Sequence, residues 1–174
     1  MLILWGSDQI ATMVRTNNEP YFSINPMNSK EIFSMAIGLQ HPWKLNDVSF
    51  VNDDNAKVLH LTIGFEAGYQ FADPEDGQPC KVHDTVERRW RHLNFFEHLC
   101  YIHCKVPRII SSSGQIRQVE VPWARAGSGF TLLFEAYSMM LIEGEMSVNR
   151  VGKALGEYAN RMWTIFNYWV GARI

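Results

Sequence analysis

No stretch of the sequence approaches the roughly 18 uninterrupted apolar residues that a membrane-spanning helix needs. The apolar start Met1-Leu2-Ile3-Leu4-Trp5 is too short for a signal peptide and has neither a basic lead-in nor a small-residue cleavage site. The expectation is a soluble, cytoplasmic chain with no membrane partner. Cysteine is scarce, at three in 174 residues, which argues against a disulfide framework. A Gly-rich phosphate loop, an HExxH motif and a convincing nucleophile motif are all missing, so no active site is expected and the chain is read as a non-enzyme. An excess of one charge is missing too: the net charge of -2 gives no general attraction to nucleic acid. What the composition does supply is a core, with 47% apolar and 13% aromatic residues, enough for one ordinary domain or two small ones.

Charge is unevenly placed. Residues 1–80 hold ten acidic and four basic residues, a net -6. Residues 81–125 hold eight basic and four acidic residues, a net +4, and residues 126–174 balance four against four. A basic middle segment is the footprint expected of phosphate contact; a solvated mixed surface is the plain alternative.

Local patterns divide the chain into an irregular arm over 1–28, a β-rich module over 29–126 and a helical segment over 127–174. Ser29 reads as the N-cap of a short helix with Ile32, Phe33, Ala36 and Ile37 on its apolar face, ended by Gly38. Alternating residues over 43–51 and 58–65, around Asn52-Asp53-Asp54-Asn55, predict a β-hairpin. Residues 81–93 and 98–109 predict two further strands joined at 94–97, and 118–123 a short last strand, together making a compact antiparallel unit. From residue 130 the period becomes helical. Phe130, Leu133, Phe134, Tyr137 and Leu141 mark one face. Ser147 caps a helix that buries Val148, Val151 and Leu155, Gly156 makes the turn, and a third helix over 158–170 buries Met162, Ile165, Phe166 and Trp169. The fold class expected is α+β: a small antiparallel β module followed by a three-helix, helix-turn-helix-like segment.

Three constellations carry candidate chemistry. In a helix-turn-helix the second helix enters the major groove by its amino-terminal end. That end carries Glu157, Tyr158, Asn160 and Arg161 here, and Asn and Arg pair bidentately with adenine and guanine edges. The alternative is a helical hairpin that completes the core. Next, Arg88, Arg89, Arg91, Arg108, Arg117 and Arg125 accompany Trp90 and Trp123; the Trp residues read as core and some of the Arg residues as phosphate contacts. Last, Cys80 and His83 at Cys-x-x-His spacing, with Cys100 and Cys104, make a four-ligand set of the kind that holds zinc. Against it, residues 80 and 83 of an extended segment point to opposite faces, and Cys100 and Cys104 serve equally as small core residues. No metal or other cofactor is expected. The candidate DNA-contacting residues are Arg88, Arg89, Arg91, Arg108, Arg125, Tyr158, Asn160 and Arg161.

Trp90-Arg91-His92-Leu93, Val106-Pro107-Arg108, Val121-Pro122-Trp123-Ala124-Arg125 and the helical pattern after them together resemble the amino-terminal part of ISL3-type insertion-sequence transposases, over about residues 30–174. In that family a small zinc-binding β module and a helix-turn-helix precede an RNase-H-like catalytic domain with three acidic residues. The resemblance implies a degenerate zinc ribbon from about residue 72. Asp73-Pro74-Glu75-Asp76-Gly77 stands where the first cysteine knuckle belongs, with Asp73 and Asp76 at its cysteine positions, and Ile110-Ser111-Ser112-Ser113-Gly114 stands where the second belongs. Loss of the soft thiolates implies loss of tight zinc binding, leaving a core of Trp90, Leu93, Ile102, Val106, Ile109, Val119, Val121 and Trp123. The resemblance also implies duplex DNA as partner and, with the catalytic part missing from this sequence, a non-catalytic regulator of transposition or transcription. The alternative is a protein-interaction or inhibitor module, for example one blocking a nucleic-acid enzyme, that engages its partner or a second copy of itself through the acidic amino-terminal part or the aromatic last helix.

Overall fold

The computed structural model describes residues 28–52 and 57–171. The expected arm over 1–28, apart from its last residue, and most of the turn between the first two strands lie outside the described residues. The elements run α1 (Ser29–Ala36), β1 (Trp43–Asn52), β2 (Lys57–Phe65), β3 (Phe71–Ala72), β4 (Pro79–Cys80), β5 (Val82–Phe95), β6 (His98–Ile110), β7 (Ile116–Gln118), α2 (Leu132–Glu143), α3 (Val148–Leu155) and α4 (Ala159–Gly171). The fold is α+β.

The first helix begins one residue earlier than its cap was expected. Asn28, not Ser29, is the N-cap: its side-chain oxygen accepts from the Glu31 amide at 3.0 Å, and Glu31 accepts in return from the Asn28 amide at 3.1 Å. Both residue types cap well, and the reciprocal Glu three positions on decides between them.

The main sheet has the order β1-β2-β6-β5, with β7 paired to the end of β6. It is not wholly antiparallel, as the alternation patterns suggested. β1–β2 and β5–β6 are antiparallel hairpins, but β2 and β6 run parallel, from Val58 opposite Leu99 to Ile63 opposite Cys104. The reason is the connection. The segment holding the two-residue β3–β4 pair carries the chain past the sheet, so β5 forms the outer edge and β6 returns inside it. Alternation constrains which face a residue takes, not which strand lies next to it. The last strand also differs: β7 is Ile116–Gln118, and the chain leaves the sheet where a strand over 118–123 was expected. Pro122 has no amide to donate to a ladder.

One face of the sheet builds the larger core. Leu59, Leu61, Ile63, Cys100, Ile102, Cys104 and Val106 point into it, and Trp43, Phe71, Trp90 and Trp123 cover them. The Trp123 ring meets Trp43 at 5.0 Å and Trp90 at 5.7 Å between centroids, both edge-on. Of the expected core residues, Trp90, Ile102, Val106, Ile109 and Trp123 are buried. Val119 and Val121 pack partly against the same core, and Leu93 packs against the helices instead.

The second core is helical: Phe130, Phe134, Met139, Val148, Val151, Leu155, Met162 and Ile165. On α2 the buried residues are Phe134, Glu135, Ser138 and Met139, while Leu133 and Tyr137 face solvent. That helix is apolar on nearly every side, so periodicity could not choose its inner face. The two cores are stitched along the free edge of β5, where the Arg91 amide donates to the Gly129 carbonyl at 2.9 Å and the Thr131 amide donates to the Arg91 carbonyl at 3.0 Å.

Candidate nucleic-acid interface

α3 and α4 form a helix-turn-helix because the turn between them suits only small or left-handed residues. Gly156 has φ +71°, a conformation costly for any residue with a Cβ. A Cβ on Gly152 would lie 2.9 Å from the Glu157 carbonyl oxygen and 3.1 Å from the Met162 side chain, so only glycine lets the helices close this tightly. Val148, Val151 and Leu155 of α3 and Met162 and Ile165 of α4 are buried in this contact. Ser147 stands at the N-cap of α3 as expected, but its side chain makes no capping bond.

The start of α4 is open to solvent. Tyr158 is 80% exposed, and Asn160, Trp163, Thr164 and Asn167 line the outer side of the helix. Arg161 is half-held: it donates to Glu157 at 2.6 Å and its guanidinium lies 4.3 Å from the Phe130 ring centroid. Two cations that the pattern reading missed, Arg150 and Lys153, lie exposed on α3 with no acidic partner among the described residues. Their signal was available: both face away from the buried Val148, Val151 and Leu155 stripe.

The arginine strip does not form one surface. Arg91 is fully buried, which corrects its assignment to phosphate. Its Nε lies 3.2 Å from Glu157 Oε1, and its other nitrogens donate to the Leu155 carbonyl at 2.9 Å, the Cys100 carbonyl at 3.2 Å, the His92 carbonyl and Asn94. Burial pulls its guanidinium below the usual arginine range, with Tyr101 and Glu157 opposing the shift. It joins the sheet to the helix-turn-helix. Arg125 is also engaged, donating to the buried Glu135 at 2.9 Å and lying 3.7 Å from the Tyr168 ring centroid. Ser128 and Trp169 complete that carboxylate's partners at 2.6 and 2.9 Å. Arg108 forms a two-pronged pair with Asp84, whose carboxyl it holds below its ordinary range. Arg117 donates to Glu75 at 3.1 Å. Arg88 reaches only the neutral Gln118, at 3.2 Å, and Arg89 lies 4.9 Å from the Tyr101 ring centroid. Carboxylates therefore occupy Arg91, Arg108, Arg117 and Arg125, and among the described residues Arg88 and Arg89 have none.

Residues 119–170 match the helix-turn-helix domain of transposase family ISL3, and residues 70–110 match the zinc-finger of transposase IS204/IS1001/IS1096/IS1165. Over these two stretches the chain is similar to the zinc-finger and helix-turn-helix domains of ISL3 transposases. No curated protein and no solved structure matches it. The ISL3 helix-turn-helix spans α2 through α4, and the ISL3 ribbon spans β3 through β6.

The ribbon's name implies zinc, and the residues here do not fit it. The knuckle loops do meet, but through hydrogen bonds. Asp73, almost fully buried, accepts from the Ser112 amide at 2.7 Å and from the Glu75 amide at 3.0 Å. The Ser111 and Ser113 hydroxyls lie 2.8 Å apart, and Glu75 accepts from Ser113 at 3.1 Å as well as from Arg117. These donated bonds hold the Asp73 and Glu75 carboxyls below their ordinary range. Asp76 accepts from the Gln78 amide at 2.9 Å. The second candidate set fits no better. Cys100 and Cys104 lie in the core with their thiols pushed up to about 12 by burial, whereas zinc takes thiolate. Cys80 sits on β4 opposite Phe71, and His83 is exposed on β5. Among the described residues no group of three or more His, Cys, Asp or Glu side chains could hold a metal ion.

Proposed function

We propose that the chain is a duplex-DNA-binding module of the ISL3 transposase type that acts by occupying its site, as a regulator of transposition or transcription, and performs no strand chemistry. One observation carries this reading: the amino-terminal end of α4, with Tyr158 and Asn160 exposed, follows a tight helix-turn-helix turn after α3, whose exposed Arg150 and Lys153 have no acidic partner among the described residues. In such a motif the first helix crosses the backbone and the second reads base edges. Asn160 and Arg161 are the readers. Arg161 exchanges its Glu157 partner for a base edge or shares it. Arg150 and Lys153 contact phosphate.

The test is a salt-titrated binding curve on duplexes selected from a random pool. Asn160→Ala and Arg161→Ala should relax sequence preference at a cost of about 1–3 kcal/mol each. Arg150→Ala and Lys153→Ala should weaken all sequences alike and lower the salt slope by about 1 each. Absence of duplex binding at about 50 mM salt, where phosphate contacts are strongest, removes the reading. Cleavage of a duplex in Mg²⁺ or Mn²⁺ removes its non-catalytic part. The second reading, a protein-interaction or inhibitor module, is favoured by the exposed Leu133, Tyr137 and Met140 of α2 and Trp163 and Tyr168 of α4. A single stoichiometric protein partner, with no DNA binding, selects it.

A further inference from the structure

We infer that the open face of the sheet is a second contact for the same duplex: Arg89 and Lys105 engage the phosphodiester backbone beside α4, over a floor formed by Tyr101, His60 and His103. This rests on the DNA-binding reading above and extends it from the helices to the sheet.

Register defines the face. With Leu59, Leu61, Ile63, Cys100, Ile102 and Cys104 turned into the core, the alternate residues point outward. His60 lies opposite Tyr101, Arg89 opposite His103, Glu87 opposite Lys105 and Arg91 opposite Tyr101. The rings are mutually ordered. His60 and His103 share a 2.8 Å hydrogen bond, and His60 stacks on Tyr101 at 6.1 Å with 23° between planes. Tyr101 makes no hydrogen bond through its hydroxyl among the described residues, so this donor remains for an oxygen ligand.

Charge favours a phosphate occupant. Arg89 rests on the Tyr101 ring and, among the described residues, meets no carboxylate within ion-pair distance. Among the described residues the acidic partner of Lys105 is Glu87, at 3.9 Å, and the two side chains are 72% and 83% exposed. A pair that open and that long contributes little and is readily exchanged for a stronger anion. The contrast with Arg91 and Arg125, fixed on buried carboxylates, separates these two exposed cations from the structural ones.

Position decides which phosphates. Arg91 leaves the sheet from this same face, its guanidinium 5.5 Å from the Tyr101 centroid, and ends on Glu157 immediately before α4. Leu99, also on this face, approaches to 3.1 Å from where a Cβ on Gly156 would sit. The helix-turn-helix turn is therefore seated on one end of the open face. A duplex docked against the start of α4 runs onto Tyr101, Arg89 and Lys105.

The experiment compares charge reversals on one selected, labelled duplex, with circular dichroism melts to confirm the fold; Arg89, Lys105 and Lys81 are all exposed. The double variant Arg89→Glu/Lys105→Glu should bind about 10–100-fold more weakly at ~100 mM salt and lose about 2 from the salt slope, near 0.9 per phosphate contact. Its sequence preference should be unchanged. Lys81→Glu, just before the far end of β5, carries one such charge reversal, half that of the double variant, and should change affinity by less than about threefold. Wild-type affinity and slope in the double variant, or an equal loss from Lys81→Glu, would overturn the inference. In that event a retained loss of preference in Asn160→Ala leaves the helix reading standing. Failure of the unmutated chain to bind any duplex ends both.

Discussion

The sheet and the helices bury charge in opposite ways. The ribbon loops are joined by carboxylates that accept mostly from neutral groups: buried Asp73 takes two amides and part-open Glu75 takes Ser113 and Arg117, while the sheet beneath is held by an apolar and aromatic core. The helical unit instead places two carboxylates inside itself, Glu135 on α2 and Glu157 in the turn before α4, each meeting an arginine brought from outside the helices. Arg91 comes from β5 and Arg125 from the loop before α2. The lesson is that α4 is positioned by charge pairs reaching across the two cores, whereas the ribbon's loops are joined to one another by local hydrogen bonds.

The largest expected effect breaks that contrast on the helical side. Arg91→Ala leaves Glu157 buried with Arg161 alone and should cost about 3–5 kcal/mol of stability, the usual result of removing one partner from a buried pair. Chemical denaturation read by circular dichroism measures it. Arg108→Ala, which removes a half-exposed pair with Asp84, should cost ~1 kcal/mol or less. Similar losses from both would erase the distinction.

Acid sharpens it next. His92 sits beside Arg91, shares a 2.9 Å hydrogen bond with Thr131 at the cap of α2, and is driven down to about 4 by burial and then by the Arg91 charge. The unfolded chain binds the proton near the ordinary value, so stability is whole above about pH 6.5 and falls as pH drops toward 4. The loss at the bottom of that window is at most ~3 kcal/mol, from about 1.4 kcal/mol per pH unit. Thermal melts between pH 7 and 4 should show this slope, and His92→Gln should flatten it.

On the ribbon side the effects are smaller. Asp73→Asn removes charge-assisted bonds from two amides and should cost about 1–3 kcal/mol. Because its folded carboxyl is held low, its contribution is present above the ordinary carboxylate range and disappears only as pH falls through the lowered value, well below the His92 window. A chelator should leave the melting temperature unchanged; a chelator-dependent drop would restore metal to the ribbon. The smallest effect is expected at a cap. Thr131→Ala should cost ~1 kcal/mol, since Thr131 accepts from the Phe134 amide at 3.2 Å, whereas Ser147→Ala, with no capping bond, should stay within about 0.5 kcal/mol.

Much of the fold was legible in the residues. The strands of both hairpins, the switch to helical period after residue 130 and the glycine turn at Gly156 follow from alternation, apolar spacing and backbone freedom, all local properties. The parallel pairing of β2 with β6 was not legible, because period-two alternation is the same whichever way a neighbour runs. The inner face of α2 was hidden by a helix apolar on most sides, and its buried Glu135 looks like a surface residue until Arg125, Ser128 and Trp169 are seen around it.

The site divides along the same line. Sequence alone determined which residue types were on hand: an Asn and an Arg at the start of the last helix, a set of arginines through the middle, and carboxylates and serines where the family's ribbon carries cysteines. Tertiary structure alone decided which arginines are free. A guanidinium reads the same on paper whether it faces water or a buried carboxylate. Arg91 and Arg125 met Glu157 and Glu135 only because folding brought together residues 66 and 10 positions apart in the chain, and an ion pair is set by distance in space, not by order along the backbone.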